Sequence, residues 1–295
     1  MTATNSPRFI SSDIFSTACT SRSPLVKWRV TLRSEIKPAL SSSAESHANA
    51  APDFRIVAEA DDYLVVDKPP FLLVHPSKPA HGLTLWGELR NLLAFELANG
   101  GQISIVNRLD RETSGLVLVA KTTVAARRFG LAMQRQQIGK EYLAIVWGWP
   151  EWDEKLVEAP LVRHGTFAPS AIWLKQAIHP SGAPAATMLR VKRRFRSATS
   201  SGENFSVVRA IPLSGRTHQI RVHLASAGHP IVGDKIYGPD ERLYLRFIET
   251  GWTPELEHIL LLPRHALHSA KIAIESAGAW ESPLPSDLAA FAREE

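Results

Sequence analysis

The sequence predicts an α+β fold in which a mixed, mostly antiparallel sheet is flanked by helices and loops. Strand patterns outnumber helix patterns along the chain, and successive strands are joined by short turns rather than by regular crossover helices. The composition, 44% hydrophobic and 21% charged, is typical of a globular protein. With 295 residues the chain is long enough for a sizeable buried core.

The predicted strands are short apolar runs bounded by turn residues. The first two flank an Asp61-Asp62 turn and end at Pro69-Pro70, and two later strands form a hairpin around "ATSSGE". The runs are "FRIVAEA", "YLVVDK", "GLVLVAKT", "KEYLAIVWG", "ATMLRVKRRFRS", "NFSVVRAIPL" and "HALHSAKIAIES".

Three segments have helical spacing. In residues 81–98 the leucines Leu85, Leu89, Leu92, Leu93 and Leu97 recur at that spacing. In residues 122–138, Thr122 or Thr123 is a suitable N-cap. In residues 217–227, Ile220, Leu224 and Ala227 share a face, and Gly228 ends the helix.

Residues 1–50 differ from the folded domain predicted at 51–295. They are rich in Ser and Thr, carry more basic than acidic residues, and end in a linker-like stretch, "ALSSSAESHANAAP". We favour a flexible or loosely attached leader, in which "PLVKWRVTL" forms a short strand. An organellar transit peptide has the same composition and stays open as the alternative.

Charge and cysteine content narrow the class of protein. A net charge of +5 and a pI near 9.4 favour an anionic partner such as nucleic acid. The lone Cys19 forms no internal disulfide, which indicates a reducing compartment, and no Cys/His cluster has zinc spacing, so we predict a site without metal. No apolar run reaches the roughly 18 residues that a membrane span needs.

Asp110 is the first candidate for chemistry. In "VNRLDRETSGLVLVAKT" it lies between Arg108 and Arg111, just before a Thr-Ser-Gly turn. It is either a turn residue that organises the chain before a strand or a functional carboxylate. Flanking guanidinium groups would lower the pKa of the carboxyl group and keep it ionised, which suits a nucleophile or an electrostatic stabiliser.

A second cationic cluster lies in "LSGRTHQIRVH", with Arg216, His218, Arg221 and His223. If the helix begins near residue 217, its free backbone N–H groups and these side chains form an anion site. A solvated helix face is the alternative.

Further candidates lie on strands. Tyr142 in "KEYLAIVWG" is either a core residue or a ring that stacks on a nucleobase. In "VKRRFR", alternation places Lys192, Arg194 and Arg196 on one strand face, where they either follow a phosphate backbone or protect a sheet edge.

Together these motifs resemble the RluA family of RNA pseudouridine synthases. "NRLDRETSGLVLVAKT" is similar to the family signature H-R-L-D-x-x-T-S-G. Three further blocks agree in order: "DYLVVDKPPFLLVHPS", "GKEYLAIVWG" and "LSGRTHQIRVHLASAGHPIVGDKIYG". The resemblance covers roughly residues 53–275.

The resemblance implies isomerisation of a uridine within structured RNA, either rRNA or tRNA, to pseudouridine. The N1–C1′ bond breaks and a C5–C1′ bond forms, without a cofactor, after the base has been flipped out of its stack. It also implies a single domain, since no small basic helical RNA-binding module precedes the motifs, and we expect a monomer in the cytoplasm.

The resemblance also implies roles for individual residues. Asp110 falls on the catalytic aspartate, Tyr142 on the tyrosine that stacks on the target base, and Arg221 on the arginine that pairs with the aspartate. Arg108 falls on the residue that fills the gap left by the flipped nucleotide, and we add Arg216, His218, Lys192 and Arg194 as candidate RNA contacts. Asn107 departs from the family's usual His, which leaves open any contact there that needs charge or proton transfer.

Three other functions are weighed against this one. A non-catalytic RNA-binding protein with the same fold is favoured only by Asn107. A uridine C5-methyltransferase needs a cysteine nucleophile and a Gly-rich cofactor loop, whereas Cys19 lies in the leader. A glycosidase-like hydrolase needs a second, raised-pKa carboxyl group, and the motifs suggest no such partner for Asp110.

Overall fold

The structure is a computed structural model that describes residues 54–76, 82–196 and 203–293. The predictions for residues 1–50, including the leader and its short strand, lie outside the described residues.

One large sheet carries most of the domain. Its strands follow the order β1-β2-β4-β11-β5-β10-β9-β6, with β3 beside β4 and β12 beside β11, while β7 and β8 form a separate pair. The strands are β1 (Arg55–Glu59), β2 (Tyr63–Lys68), β3 (Ser104–Ile105), β4 (Ser114–Ala120), β5 (Ile138–Trp147), β6 (Glu154–Glu158), β7 (Leu161–Arg163), β8 (Gln176–Ile178), β9 (Ala186–Arg196), β10 (Asn204–Pro212), β11 (Leu267–Ile274) and β12 (Gly278–Glu281).

The mixed, mostly antiparallel sheet confirms the predicted fold class. Within the described ranges, the named strands pair antiparallel except for β4 with β11. That parallel pair is short, with His268 opposite Ser114 and Ser269 opposite Gly115. It brings the Thr-Ser-Gly segment against the middle of the sheet.

Seven α-helices lie in the described residues: α1 (Leu85–Leu92), α2 (Ala94–Ala98), α3 (Thr123–Gln134), α4 (Gln219–Ser226), α5 (Arg242–Thr250), α6 (Pro254–Leu260) and α7 (Ser286–Phe291). Where a single helix was predicted over residues 81–98, the described residues form two helices, because Leu93 leaves helical geometry at φ −100 and ψ 28. The helix predicted from residue 217 begins at Gln219, since His218 adopts left-handed backbone geometry with φ 56.

The core lies on both faces of the sheet. Every residue of β4 is buried, as expected for the continuous apolar run that predicted it. One apolar cluster packs α1 and α7 against the sheet, and another packs α3 against β2 and β4. None of the described helices is long and apolar enough to cross a membrane.

Candidate active site

The Asn107 side chain anchors the loop that contains Asp110 to the neighbouring strand, β4. Its side-chain amide donates to the Leu116 carbonyl at 3.1 Å, and its Oδ1 accepts from the Leu118 backbone N–H at 2.8 Å. The buried side chain thus continues the ladder that β3 makes with β4. These bonds need a neutral donor and acceptor, which asparagine supplies.

The residues after Asp110 close a turn that also bonds to His265, just before β11. The Thr113 N–H donates to the Asp110 carbonyl at 3.2 Å, and the Thr113 hydroxyl lies 2.7 Å from Nε2 of His265. At Gly115, with φ +109, an added Cβ would lie 2.3 Å from the Ser269 carbonyl oxygen. The close approach of β4 to β11 therefore requires the glycine of the Thr-Ser-Gly sequence.

Arg221 joins two carboxylates. Its Nη1 donates to Oδ2 of Asp110 at 2.9 Å, while its Nε and Nη2 donate to the two oxygens of Asp234 at 2.7 and 2.8 Å. The Arg221 side chain is only 6% exposed and that of Asp234 is 0% exposed, whereas that of Asp110 is 31% exposed. Asp234 therefore fixes the guanidinium group on its buried side, and the remaining nitrogen, Nη1, donates to the partly exposed Asp110 carboxylate.

Asp234 was missed by the sequence reasoning. Its Oδ1 also accepts the backbone N–H groups of Ile236 and Tyr237, both at 3.0 Å. Burial raises the pKa of Asp234, but the charge and hydrogen bonds of Arg221 dominate and hold that pKa well below its ordinary value. The motif block therefore does contain a second carboxylate near Asp110, yet this one stays ionised and cannot serve as a proton donor.

Asp110 is ionised as predicted, but for a different reason. Burial raises its pKa, and the opposing influence of His218, Arg221 and His265 leaves the pKa below its ordinary value. Arg221 supplies the lasting charge, because burial and Arg221 lower the pKa of His218 to about 4 and leave it neutral near pH 7. The interpretation that the sequence neighbours hold the carboxylate ionised was wrong. Arg108 and Arg111 are exposed, and Arg111 donates to the Phe71 carbonyl at 3.2 Å.

His218 completes the immediate surroundings of Asp110. Its Nε2 lies 3.8 Å from Oδ2 of Asp110, and its Nδ1 lies 2.8 Å from the Tyr237 hydroxyl. The Tyr237 ring in turn lies below the Arg221 guanidinium, at 5.0 Å from its centroid. The anion next to α4 is thus the Asp110 carboxylate, which is held by side chains rather than by the backbone N–H groups predicted for the helix start.

Tyr142 lies on β5, paired with Ser269 of β11 and Ala210 of β10 in the middle of the sheet. It is 8% exposed. Burial, together with the charge of nearby Asp110, raises the pKa of Tyr142 to about 12 despite a hydrogen bond with Ser269. The phenol therefore keeps its proton at neutral pH and contributes a ring and a hydroxyl group, not a base.

Two further ionisable groups, the buried Lys68 and the partly buried Glu112, support the Asp110 loop and were not identified from the sequence. Lys68 is fully buried and donates to the carbonyls of Pro69, Leu72 and Arg111 at 2.7, 2.9 and 3.2 Å. Burial lowers the pKa of Lys68 to about 7.

Glu112, two residues after Asp110, accepts from Lys235 at 2.8 Å and from the His265 backbone N–H at 3.2 Å. It joins the loop to two distant segments of the chain. An acidic residue two positions after the signature aspartate is the one signal that could have identified it.

The structure does not bring the basic strand residues to this site. The first residues of β9 contact α4, where the Thr187 hydroxyl lies 2.9 Å from Nδ1 of His223. Lys192 and Arg194 lie toward the other end of β9, and Arg194 donates to the Pro150 carbonyl and to Asp153 at 2.8 Å each. Arg216 is exposed near α4 and donates to the Pro184 carbonyl at 3.2 Å.

Within the described ranges, no group of three or more His, Cys, Asp and Glu side chains is arranged to hold a metal ion. An ionised carboxylate paired with a fixed arginine, and a tyrosine on a central strand of the same mixed sheet, agree with the class of enzyme that the motifs resemble, the RNA pseudouridine synthases.

Comparison with known proteins agrees with that class. The sequence model of the family described as RNA pseudouridylate synthase matches residues 62–226. The "Ribosomal large subunit pseudouridine synthase D" of Nitrosomonas europaea is 37% identical over 255 residues, covering 84% of this chain and 67% of that protein. The protein of the same name from Pseudomonas aeruginosa is 34% identical over 244 residues, covering 80% and 70%.

A solved structure shows the same fold. That of "Human RNA Pseudouridylate Synthase Domain Containing 1" superposes with a TM-score of 0.60 at 26% identity, covering 81% of this chain and 85% of that one. The chain therefore belongs to the RNA pseudouridylate synthase family, and its resemblance to the RluA group is confirmed. It is an enzyme that isomerises uridine in RNA to pseudouridine.

Proposed function

We propose that the enzyme modifies one or more uridines of large-subunit ribosomal RNA and that Asp110 is its catalytic carboxylate. Ribosomal RNA is favoured over tRNA because the relatives named above are ribosomal large subunit pseudouridine synthases. The observation that carries the assignment of Asp110 is its ion pair with Arg221, which is itself fixed by Asp234.

In the proposed reaction, uridine leaves its stack and enters the space beside Asp110. The N1–C1′ bond breaks, the uracil turns, and C5 bonds to C1′. The hydrogen lost from C5 is balanced by one gained at N1, so the reaction is an isomerisation. Arg221 keeps Asp110 ionised for its part in this exchange, and the Tyr142 ring stacks on the base.

Arg108 is proposed to take the space vacated by the flipped nucleotide. It is exposed two residues before Asp110, on the same loop that Asn107 anchors. Unpairing and unstacking a base costs a few kcal/mol, and a side chain that occupies the gap offsets part of that cost. Arg216 and His218 are proposed RNA contacts at the start of α4, whereas Lys192 and Arg194 can contact only more distant parts of the RNA.

Asn107 gives no support to a non-catalytic RNA-binding protein. Its side chain is engaged by the backbone of β4, so the change from the family's histidine affects an anchoring bond rather than a proton transfer. We further propose a cytoplasmic monomer that uses no metal or cofactor. Light scattering on the purified protein tests the monomer, and an assay in chelator tests the independence from metal.

The test is to incubate the purified protein with large-subunit rRNA and, separately, with bulk tRNA transcripts. Pseudouridine is then mapped by chemical labelling and primer extension. We expect new pseudouridine in the rRNA and none with the Asp110→Asn variant. That variant should stay folded, because Asp110 is partly exposed and Arg221 keeps its bonds to Asp234.

Modification of tRNA alone would overturn the proposed target and leave the proposed role of Asp110 intact. An Asp110→Asn protein that still forms pseudouridine would overturn the catalytic assignment.

A further inference from the structure

The β7–β8 hairpin, residues 159–185, carries aromatic rings that the fold does not bury. The Trp173 side chain is 72% exposed and that of Phe167 is 44% exposed. The Arg163 guanidinium lies over the Trp173 ring, with Cζ 3.7 Å from the ring centroid. One face of the indole is therefore covered by a cation, and most of the remaining ring surface is open to solvent.

The base of this hairpin is firmly held. Leu161 and Ala183 exchange two backbone hydrogen bonds, of 3.0 and 2.9 Å. Gly182 lies so close to Leu161 that an added Cβ would be 2.6 Å from the Leu161 carbonyl carbon. The exposed rings are consequently presented from a fixed support, which lowers the entropy lost when a ligand binds to them.

The hairpin is also bonded to the catalytic centre. The Gln176 backbone N–H donates to the Tyr237 hydroxyl at 2.7 Å, and that hydroxyl lies 2.8 Å from His218, which adjoins Asp110. Gln176 is the strand partner of Arg163. Arg163, which covers the Trp173 ring, therefore pairs across the β7–β8 ladder with the residue that donates to the Tyr237 hydroxyl.

The charge of this segment suits RNA. No Asp or Glu occurs between Glu158 and Glu203, and the hairpin itself contains Arg163 and Lys175. Lys175 is paired with Glu241, which leaves Arg163 as the cation next to the open ring. An exposed aromatic face beside a guanidinium group, on a segment that itself contains no acids, is a surface suited to an unpaired nucleotide.

We infer that Trp173 and Arg163 form a second nucleotide-binding site, which holds an unpaired nucleobase of the same RNA that carries the target uridine. The base stacks on the open face of Trp173, and Arg163 pairs with its phosphate. The inference rests on the proposed RNA substrate but not on which RNA it is. Because this site lies outside the reacting atoms, it acts on substrate binding rather than on the chemical step.

The experiment measures kcat and KM for Trp173→Ala, Trp173→Phe and Arg163→Gln on whichever RNA the unmodified protein modifies. We expect KM to rise about 5- to 100-fold for Trp173→Ala with kcat little changed, since base stacking is sequence-tolerant binding energy. Trp173→Phe should recover most of the loss. Trp149→Ala is the matched control, because Trp149 is 40% exposed but donates to the Phe195 carbonyl in another part of the sheet.

A second measurement identifies the stacked nucleotide. Abasic substitutions are placed one at a time at unpaired positions flanking the target, and each RNA is assayed with the unmodified protein and with Trp173→Ala. At one position the abasic RNA should raise KM for the unmodified protein and have no further effect with Trp173→Ala. An unchanged KM for Trp173→Ala, or additive effects at every position, would overturn the inference. Absence of pseudouridine with the unmodified protein would instead count against the proposed function.

Discussion

Arg221 depends on a residue that never touches the RNA in the proposed reaction. Asp234 holds two of its nitrogens from a fully buried position, and the third reaches Asp110. Asp234 is thus a positioning residue, whose loss changes both the direction of the guanidinium group and the balance of buried charge.

We predict that Asp234→Asn lowers the free energy of unfolding by about 3 kcal/mol, because a buried arginine loses its closest counter-charge. We also predict that kcat falls by roughly 10- to 100-fold, since small misplacements of a catalytic group have effects of that size. Urea unfolding and single-turnover assays below the unfolding temperature measure the two effects. Asp240→Asn, at a carboxylate that is 37% exposed, is the control and should change neither. Full kcat in folded Asp234→Asn would contradict the positioning role.

Asn107 provides a second prediction at this scale. Asn107→Ala leaves the buried Leu118 N–H without its side-chain partner, while the Leu116 carbonyl keeps the Ser269 hydroxyl at 3.2 Å, so stability should fall by about 1–3 kcal/mol. The pH dependence of kcat should not change, because Asn107 does not titrate. Asn91→Ala, at an exposed position on α1, is the comparison for stability. A shifted pH–rate profile in Asn107→Ala would show that this position takes part in proton transfer after all.

At the scale of elements, the sequence was informative where a local pattern determines the outcome. The uninterrupted apolar run of β4 and the threonine before α3 both led to correct assignments, because burial on two faces and end-capping act within a few residues. The break at Leu93 and the late start of α4 were not predictable in this way. The first depends on packing of Leu93 into the core, and the second on the left-handed backbone of His218.

The same distinction explains the site. Asp110, Tyr142 and Arg221 were found because the motifs mark them, whereas their dependence on one another was not visible. Asp234 reaches Arg221 across a turn, and no spacing rule connects the two. Lys192 and Arg194 stay a prediction as RNA contacts; strand alternation could not show that they lie at the far end of β9, where Arg194 donates to the Pro150 carbonyl and to Asp153.

The cap of α3 can be tested on its own. The Thr122 hydroxyl accepts from the Ala125 N–H at 3.1 Å, so Thr122→Ala should cost about 1 kcal/mol of stability. Thr123→Ala is a closely matched control, since the Thr123 hydroxyl makes an exposed bond to Gln102 and caps nothing. Thermal unfolding of the two variants gives the comparison. Equal losses would mean that the helix end is held by packing rather than by the cap.

At the scale of the whole molecule, ionised carboxylates connect segments that are far apart in sequence. Glu112 contacts Lys235 and His265, and Arg264 donates to both Asp287 and the Glu112 carbonyl. These contacts join the loop that contains Asp110 to the α4–α5 connection and to the last helix. Their strength depends on the carboxylates staying charged, so the fold as a whole should respond to acid.

Glu112 makes that response measurable. Burial raises its pKa, but His265 and Lys235 outweigh burial and lower the pKa from 4.5 to about 2. A carboxyl group with a depressed pKa stabilises the fold above its unfolded pKa, and this contribution is lost as the pH falls from about 5 toward 2. The full contribution is about 3 kcal/mol at 1.36 kcal/mol per pKa unit.

We therefore predict that the stability difference between the unmodified protein and Glu112→Gln is largest at pH 6 and shrinks by about 2 kcal/mol at pH 3. Urea unfolding at a series of pH values measures it. Glu281→Gln removes an exposed carboxylate and should show little change across the same range. A difference for Glu112→Gln that stays constant from pH 6 to pH 3 would mean that Glu112 acts through its hydrogen bonds alone. The segments around Asp110 would then be held together by packing and hydrogen bonds rather than by ionic interactions.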